Sequence, residues 1–234
     1  ALAACGTTDV SSPASDGGDD AAALSESCAE DTTETSTGPV TLTDDLVRTV
    51  ELDEPAERLA VLEWQQIEDA LTLCVAPVAV ADAEGFSTWV TSETLPAGTA
   101  DVGTRGEPNL DALAAADPDL IIVEVTGTDD PVVAQLEGLG IPVLATMGAD
   151  AADPIGTMKD LFTLIGEATG RTERAEAVLE EFDEHVAEAK QQVADADLPT
   201  TDFVYFDGWV ESGNVSIRPF GEGSMRWALQ PGVA

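Results

Sequence analysis

The sequence predicts an α/β fold in which helices cover a parallel sheet. From Arg58 onward, short apolar runs alternate with helical patterns of apolar residues, as in strand–helix–strand units. The run Leu120-Ile121-Ile122-Val123 is apolar throughout, as expected for a strand buried on both faces. Two long helical patterns follow, and a strand pattern starts again at Phe203, which indicates a second α/β lobe.

The first forty residues differ in composition from the rest of the chain. Residues 6–38 are rich in Ser, Thr, Asp and Gly, so they cannot bury enough apolar surface to fold alone. Before them, Leu2-Ala3-Ala4 precede Cys5, a pattern that resembles the bacterial lipoprotein signal. We therefore expect residues 1–4 to be a signal-peptide remnant and residues 5–39 a disordered linker lipid-anchored at Cys5.

The first lobe is expected over residues 40–153. It opens with a hairpin whose strands, 40–43 and 46–52, are joined by the turn Asp44-Asp45. Asn109 is the predicted N-cap of a short helix over 110–116. The other expected elements are strands at 59–62, 77–81, 120–123 and 141–145, and helices at 65–73 and 132–139.

Two long helices are predicted after this lobe. The helix over 154–169 is capped by Asp153 and is apolar on more than one face, so we expect it to pack between two bodies. The helix over 172–194 carries a single apolar stripe and is predicted to lie on a surface. The second lobe over 170–234 is expected to be incomplete, because the chain stops abruptly at Gln230-Pro231-Gly232-Val233-Ala234. Since the chain also starts without Met, we expect a fragment at both ends.

The chain is strongly acidic. Nine Lys and Arg residues stand against 46 Asp and Glu residues, for a formal net charge of −37. This balance excludes nucleic acid as a partner, since phosphate binding needs clustered cations. The acidic surface is explained either by solubility or by adaptation to high salt, and composition leaves both explanations open.

Motifs for catalysis or metal binding are not found in the sequence. The single histidine, His185, lies between Glu184 and Glu188 on the polar side of a helix and is interpreted as solvated. No Ser-His-Asp, HExxH, CxxC or phosphate-loop pattern occurs. Three cysteines are too few for a disulfide scaffold, and Cys74 is interpreted as a small buried hydrophobe. The expectation is a protein that is not an enzyme and has no cofactor.

Arg105 and two tryptophans are the candidate ligand-binding residues. Arg105 lies in Gly103-Thr104-Arg105-Gly106, a glycine-flanked loop just before a helix N-terminus. In so acidic a chain its guanidinium is expected to have either a carboxylate partner or an anionic ligand. Trp64 and Trp89 are placed near the carboxyl ends of predicted strands, where open parallel sheets bind ligands, although both could instead be core residues.

Several segments together resemble one family in order and approximate spacing. They are Arg58–Trp64, Val80–Asp82, Trp89–Ser92, Leu95-Pro96, Asp101–Leu110, Asp117–Ile122 and Phe220–Ser224. The chain resembles the substrate-binding proteins of iron–siderophore ABC importers, in particular the branch that binds ferric hydroxamates. The resemblance covers residues 40–229, and the stretch from Asp101 to Leu110 is its most specific part.

This resemblance implies two Rossmann-like α/β lobes joined by a single long backbone helix, the class III binding-protein fold, with 154–169 as that helix. It implies that Arg105 donates to the iron-bound hydroxamate oxygens and that Trp64 and Trp89 line the cleft, with Trp209 and Tyr205 as further candidates. The expected ligand is an Fe(III)–siderophore, which already fills the coordination sphere of the metal. The expected partners are the permease subunits and, through the anchor, the membrane; the protein is expected to act extracytoplasmically as a monomer.

Two departures from the family pattern leave the cargo open. The last third of the second lobe, where the family has further cleft aromatics, is expected beyond Ala234. The family branch often has a tyrosine after the strand at Ile121-Ile122, where this chain has Val125-Thr126-Gly127. Cobalamin, haem or a catecholate siderophore on the same scaffold is an alternative cargo. A surface lipoprotein without cargo is the alternative from another class, and an α/β enzyme would need catalytic groups beyond Ala234.

Overall fold

A computed structural model describes residues 26–148, 150, 152–196 and 204–221 of the chain. The strands are β1 Val40–Thr43, β2 Thr49–Leu52, β3 Leu59–Val61, β4 Ala79–Val80, β5 Ala100–Asp101, β6 Leu120–Val125, β7 Val143–Met147, β8 Tyr205–Glu211 and β9 Asn214–Phe220. The helices are α1 Glu26–Ala29, α2 Trp64–Thr72, α3 Ala83–Trp89, α4 Leu110–Ala116, α5 Pro131–Glu137, α6 Pro154–Ala168 and α7 Thr172–Asp195.

The centre of the first lobe is a five-stranded parallel sheet with strand order β5-β4-β3-β6-β7. In the middle strand, Ala60 pairs with Ala79 on one side and with Ile121 on the other. All three residues of β3 are buried, because helices and the N-terminal hairpin cover the faces of the sheet. The prediction of a parallel α/β fold is confirmed.

The hairpin β1–β2 is attached to the edge of this sheet through Asp44. The buried carboxylate of Asp44 accepts hydrogen bonds from the backbone N–H groups of Leu46 and Arg48, at 3.0 and 2.9 Å. The Arg48 guanidinium pairs with the same carboxylate at 2.5 Å and donates to the carbonyl of Val143 in β7 at 3.1 Å. The predicted turn is therefore confirmed, and its acidic residue is a structural anchor.

The short helix α3 is not predicted from the sequence. Asp82, in the left-handed region with φ 56°, accepts a hydrogen bond from the backbone N–H of Gly85 and begins the helix directly after β4. The segment contains Gly85 and Thr88, which favour helices weakly, and only Phe86 is fully buried. Tertiary contacts therefore determine this helix more than its own sequence pattern does.

The two long helices, α6 and α7, pack against each other beside the first lobe. Helix α6 does pack between two bodies, but these are the first lobe and α7. A Cβ at Gly166 of α6 would lie 2.8 Å from Cβ of Ala175, so α7 approaches α6 closely there. Helix α7 is the longer, at 24 residues, and becomes exposed toward its end before β8. That residues 154–169 form the helix linking two lobes stays a prediction.

The segment from residue 27 to residue 39 lies against the first lobe, which differs from the expected linker over 5–39. Cys28 forms a disulfide with Cys74, so the interpretation of Cys74 as a small buried hydrophobe is wrong. Buried Arg171 is ion-paired with Asp31, and its Nη1 donates to the hydroxyl of Thr35 at 2.9 Å. A disulfide and polar contacts hold this segment against the first lobe. A prediction based on the pattern of apolar residues cannot detect such contacts.

The second lobe is represented by the antiparallel hairpin β8–β9, whose two-residue turn is Ser212-Gly213. Both turn residues have positive φ, 50° and 81°, as type I′ hairpin turns require. The predicted strands near 203–206 and 215–217 are found here, longer than expected. The expectations for Cys5 and for residues 222–234 lie outside the described residues. Within the described ranges, no helix combines the length and apolar character needed to cross a bilayer.

Candidate functional site

The carboxyl edge of the parallel sheet gathers loops from several strands. Glu63 and Trp64 follow β3, Asp82 follows β4, and the loop carrying Arg105 follows β5. Glu124 lies near the end of β6. Because parallel strands end at the same edge, residues far apart in sequence become neighbours here.

The Arg105 loop is a closed turn. Gly103, with φ 97°, forms an antiparallel bridge with Pro108, and the backbone N–H of Asn109 donates to the carbonyl of Val102 at 2.6 Å. The side-chain oxygen of Asn109 then accepts from the backbone N–H of Ala112 and caps α4, as predicted. The loop is thus fixed at both ends, and Arg105 projects from it.

The Arg105 guanidinium has a carboxylate partner. Its Nη1 lies 2.5 Å from Oε1 of Glu63, and its Cζ lies 4.0 Å from the centre of the Trp64 ring. Of the two alternatives for this arginine, the structure shows the ion pair. The Arg105 side chain is still 40% exposed, and no second hydrogen bond to it is found within the part of the chain described. Its remaining N–H groups are available to an oxygen-rich ligand.

Trp64 is held as a platform beneath this guanidinium. It is the first residue of α2, and its half-buried ring lies so close to α3 that a Cβ at Gly85 would be 2.4 Å from Cζ2. The indole Nε1 is buried and has no hydrogen-bond partner among the described residues. The ring therefore has a fixed position, and stacking with Arg105 adds a cation–π contact.

Glu124 is a site residue that sequence reasoning misses. Burial raises the pKa of its carboxyl, Glu63 raises it further, and Arg105 acts in the opposite direction. A Cβ at Gly148 would lie 3.5 Å from Glu124 Oε1, so the loop after β7 lies against the carboxylate. The signal in the sequence is a single charged residue near the end of an otherwise apolar strand.

The other predicted aromatic residues are placed differently. Trp89 is the last residue of α3, with 74% of its surface exposed, so its expected position near the end of a strand is wrong. Tyr205 packs on Phe220 across the β8–β9 hairpin, with ring centres 5.6 Å apart. Trp209 is 48% exposed on the same hairpin. Of the predicted set, the structure brings Trp64 and Arg105 together.

A separate apolar groove of about 370 Å³ lies between α2, α6 and α7. Phe162, Leu179 and Phe182 line it together with Asp69. Burial raises the pKa of the Asp69 carboxyl well above its ordinary value, and the nearby Glu68 adds to the effect. Oδ2 of Asp69 is buried without a hydrogen-bond partner among the residues described. Neither Arg105 nor Trp64 lines this groove, so the groove is separate from the Arg105 site.

Chemically, the Arg105 cluster is suited to binding. A planar cation stacked on an indole offers hydrogen-bond donors and an apolar surface together. Across the described ranges, no group of three His, Cys, Asp or Glu side chains is arranged to hold a metal ion.

Comparisons with known proteins agree with this description. YhfQ of Bacillus subtilis (strain 168), named as a candidate ABC transporter substrate-binding lipoprotein, is 32% identical over 66% of this chain and 47% of its own length. The iron(3+)-hydroxamate-binding protein FhuD of Escherichia coli (strain K12) is 38% identical over 28% of this chain and 22% of its own length. The ferric enterobactin-binding periplasmic protein FepB of Escherichia coli O6:H1 is 34% identical over 43% of this chain and 30% of its own length.

A solved structure shows the same relationship. The siderophore-binding protein FhuD of Vibrio cholerae, bound to Fe³⁺–Desferal, matches with a TM-score of 0.54 and 27% identity, over 60% of this chain and 52% of that one. The chain spans about half the length of YhfQ and less of the other two curated relatives. The family model for periplasmic binding proteins matches residues 59–219, which include Trp64, the Arg105 loop and all but the last residue of the β8–β9 hairpin. This chain belongs to the periplasmic binding protein family, a family of binding proteins and not of enzymes.

Proposed function

We propose that this chain is the extracytoplasmic substrate-binding component of an ABC importer, and that it captures a ferric siderophore of the hydroxamate type. The observation that carries the proposal is the stacking of Arg105 on Trp64 at the carboxyl edge of the sheet. The similarity to the two FhuD proteins supports both the cargo class and the scaffold. Delivery to permease subunits and action as a monomer are parts of the same proposal.

The capture step follows from the properties of these two side chains. Apolar arms of the siderophore cover the indole of Trp64 and are removed from water, which contributes roughly 25 cal/mol per Å² buried. The exposed N–H groups of Arg105 donate to oxygens that surround the iron, and each charge-assisted bond contributes about 1.5–3 kcal/mol. Glu63 holds the guanidinium over the ring before the ligand arrives, so less side-chain freedom is lost on binding.

A lipid anchor at Cys5 and an extracytoplasmic location are proposed with this function. The anchor rests on the residues around Cys5 and on the lipoprotein name of YhfQ. The disulfide between Cys28 and Cys74 supports the location, because disulfides persist in oxidising compartments. Labelling of the full-length protein with a radioactive fatty acid tests the anchor; the label should be lost in Cys5→Ser.

The experiment that tests the cargo is a tryptophan-quenching titration of the full-length protein with a ferric trihydroxamate. Arg105→Ala should weaken binding at least about tenfold, since a charge-assisted hydrogen bond is lost. Arg105→Lys should recover part of the affinity, because an ammonium lacks the planar fork of donors. Lys190→Ala is the matched control, as it removes one exposed cation from α7. Equal dissociation constants for wild type and Arg105→Ala would contradict the proposal.

A catecholate cargo is the second candidate, and the similarity to FepB favours it. The same titration with a ferric tricatecholate, a haem and a cobalamin separates these cargoes. If the catecholate binds tightly and the hydroxamate does not bind, the cargo is a catecholate siderophore and the hydroxamate proposal is wrong. No quenching by any of the four would favour a surface lipoprotein without cargo.

A further inference from the structure

Glu63 contacts both the Trp64 backbone and the Arg105 guanidinium. Its Oε1 accepts a hydrogen bond from the backbone N–H of Trp64 at 2.9 Å and is paired with Arg105 at 2.5 Å. The first contact caps α2, where a negative charge is stabilised by the helix dipole. A ligand therefore meets a guanidinium whose charge is already balanced by a carboxylate that the helix keeps in place.

Glu124 adds a second carboxylate to the same cluster. It interacts electrostatically with both Glu63 and Arg105. On the same edge, Asp82 accepts from the backbone N–H of Gly85, and Asp101 accepts from the backbone N–H of Ala83. Arg105 thus interacts with two carboxylates, those of Glu63 and Glu124, and two further carboxylates lie at the same edge of the sheet.

This balance determines which ferric complexes the site tolerates. A complex with net negative charge meets carboxylates for which the described residues at this edge provide no cation other than Arg105, and repulsion of this kind is strengthened where water is partly excluded. A neutral or positively charged complex does not meet this repulsion and can still use the N–H groups of Arg105. We infer that Glu63 and Glu124 are specificity-determining residues that make the site select neutral or cationic ferric complexes against anionic ones.

The inference rests on the proposed function, so its test varies ligand charge while the iron-binding core stays constant. The probes are a linear ferric trihydroxamate with a pendant ammonium, its N-acetylated neutral form and its N-succinylated anionic form. In the wild-type protein, the affinity should fall about threefold for each step toward negative charge. Glu63→Gln and Glu124→Gln should each reduce this gradient, that is, the dependence of affinity on ligand charge. Added salt should reduce the gradient in the wild type.

Controls separate the charge effect from a folding defect. Glu57→Gln removes the same charge beside the amino end of β3, away from the site, and should leave the gradient unchanged. Glutamine retains a side-chain oxygen that can cap α2, and a thermal melt of each variant checks the fold. Equal wild-type affinity for all three probes, or a gradient that neither site variant changes, would overturn the inference and leave the proposed function intact. If no probe binds at all, the proposed function itself fails.

Discussion

The indole ring of Trp64 fills the space in which a side chain at Gly85 would lie. A Cβ at Gly85 would lie 2.4 Å from Cζ2 of the indole, closer than two carbon atoms can approach. The position of the ring under Arg105 therefore depends on a glycine in a different helix. This relationship links a packing detail of α3 to the geometry of the site.

Gly85→Ala should displace Trp64 and weaken binding. We expect a loss of about 1–3 kcal/mol in stability from overpacking, and a shift in tryptophan fluorescence as the ring moves. A thermal melt and an emission spectrum measure these changes. Gly127→Ala is the control, because a Cβ there has nothing within 4 Å. An unchanged spectrum together with unchanged ligand affinity for Gly85→Ala would contradict the platform role of Trp64.

Reduction of the disulfide between Cys28 and Cys74 should destabilise the lobe. The bond joins residues 46 positions apart, so breaking it restores chain entropy to the unfolded state and costs about 2–4 kcal/mol. Urea denaturation with and without a reductant measures the effect. The double variant Cys28→Ser with Cys74→Ser should be insensitive to reductant, whereas Cys5→Ser should respond as the wild type does. An equal urea midpoint in both conditions would refute the prediction.

Asp69→Asn should stabilise the protein at neutral pH. The pKa of the folded-state carboxyl is raised, so the ionised form costs free energy, and wild-type stability declines as pH rises from the ordinary aspartate pKa through the raised one. We expect a gain of about 1 kcal/mol at pH 7 that disappears below the ordinary carboxyl range. Urea denaturation across this pH range tests it, with Glu180→Gln on the exposed face of α7 as the control. A variant less stable than wild type at pH 7 would show that the carboxylate has a favourable partner.

Asp31→Asn should destabilise the protein at neutral pH, the opposite of the effect expected for Asp69→Asn. Burial by itself raises the pKa of Asp31, but hydrogen bonds from Thr33 and the charge and hydrogen bond of Arg171 outweigh it and lower the pKa. The ionised carboxyl therefore contributes stability above the ordinary aspartate pKa, and this stability is lost as pH falls through the lowered folded-state pKa. We expect Asp31→Asn to lose about 1–3 kcal/mol at pH 7 and to approach wild type in acid. Urea denaturation at several pH values measures this, and a constant difference at all pH values would contradict it.

Local patterns were sufficient for the main elements of the first lobe. The strand at Leu120–Val125 follows from its apolar residues, and α4 follows from its apolar face and from Asn109, whose side chain caps it. The short helix α3 could not be predicted, since its one buried residue, Phe86, gives no periodic signal. Because α3 was not predicted, Trp89, its last residue, was expected at the end of a strand instead.

The sequence by itself determined the α/β class and the parallel sheet and predicted Arg105 as a site residue, because hydrophobic periodicity, caps and glycine-flanked loops are local properties. Only the tertiary structure decided that Arg105 pairs with Glu63, that Cys28 bonds to Cys74 and that Glu124 belongs to the site. These partners are separated by 19 to 61 positions along the chain. Which carboxylate or thiol reaches which partner depends on how the strands and loops are arranged in space, and residue spacing alone contains no record of that arrangement.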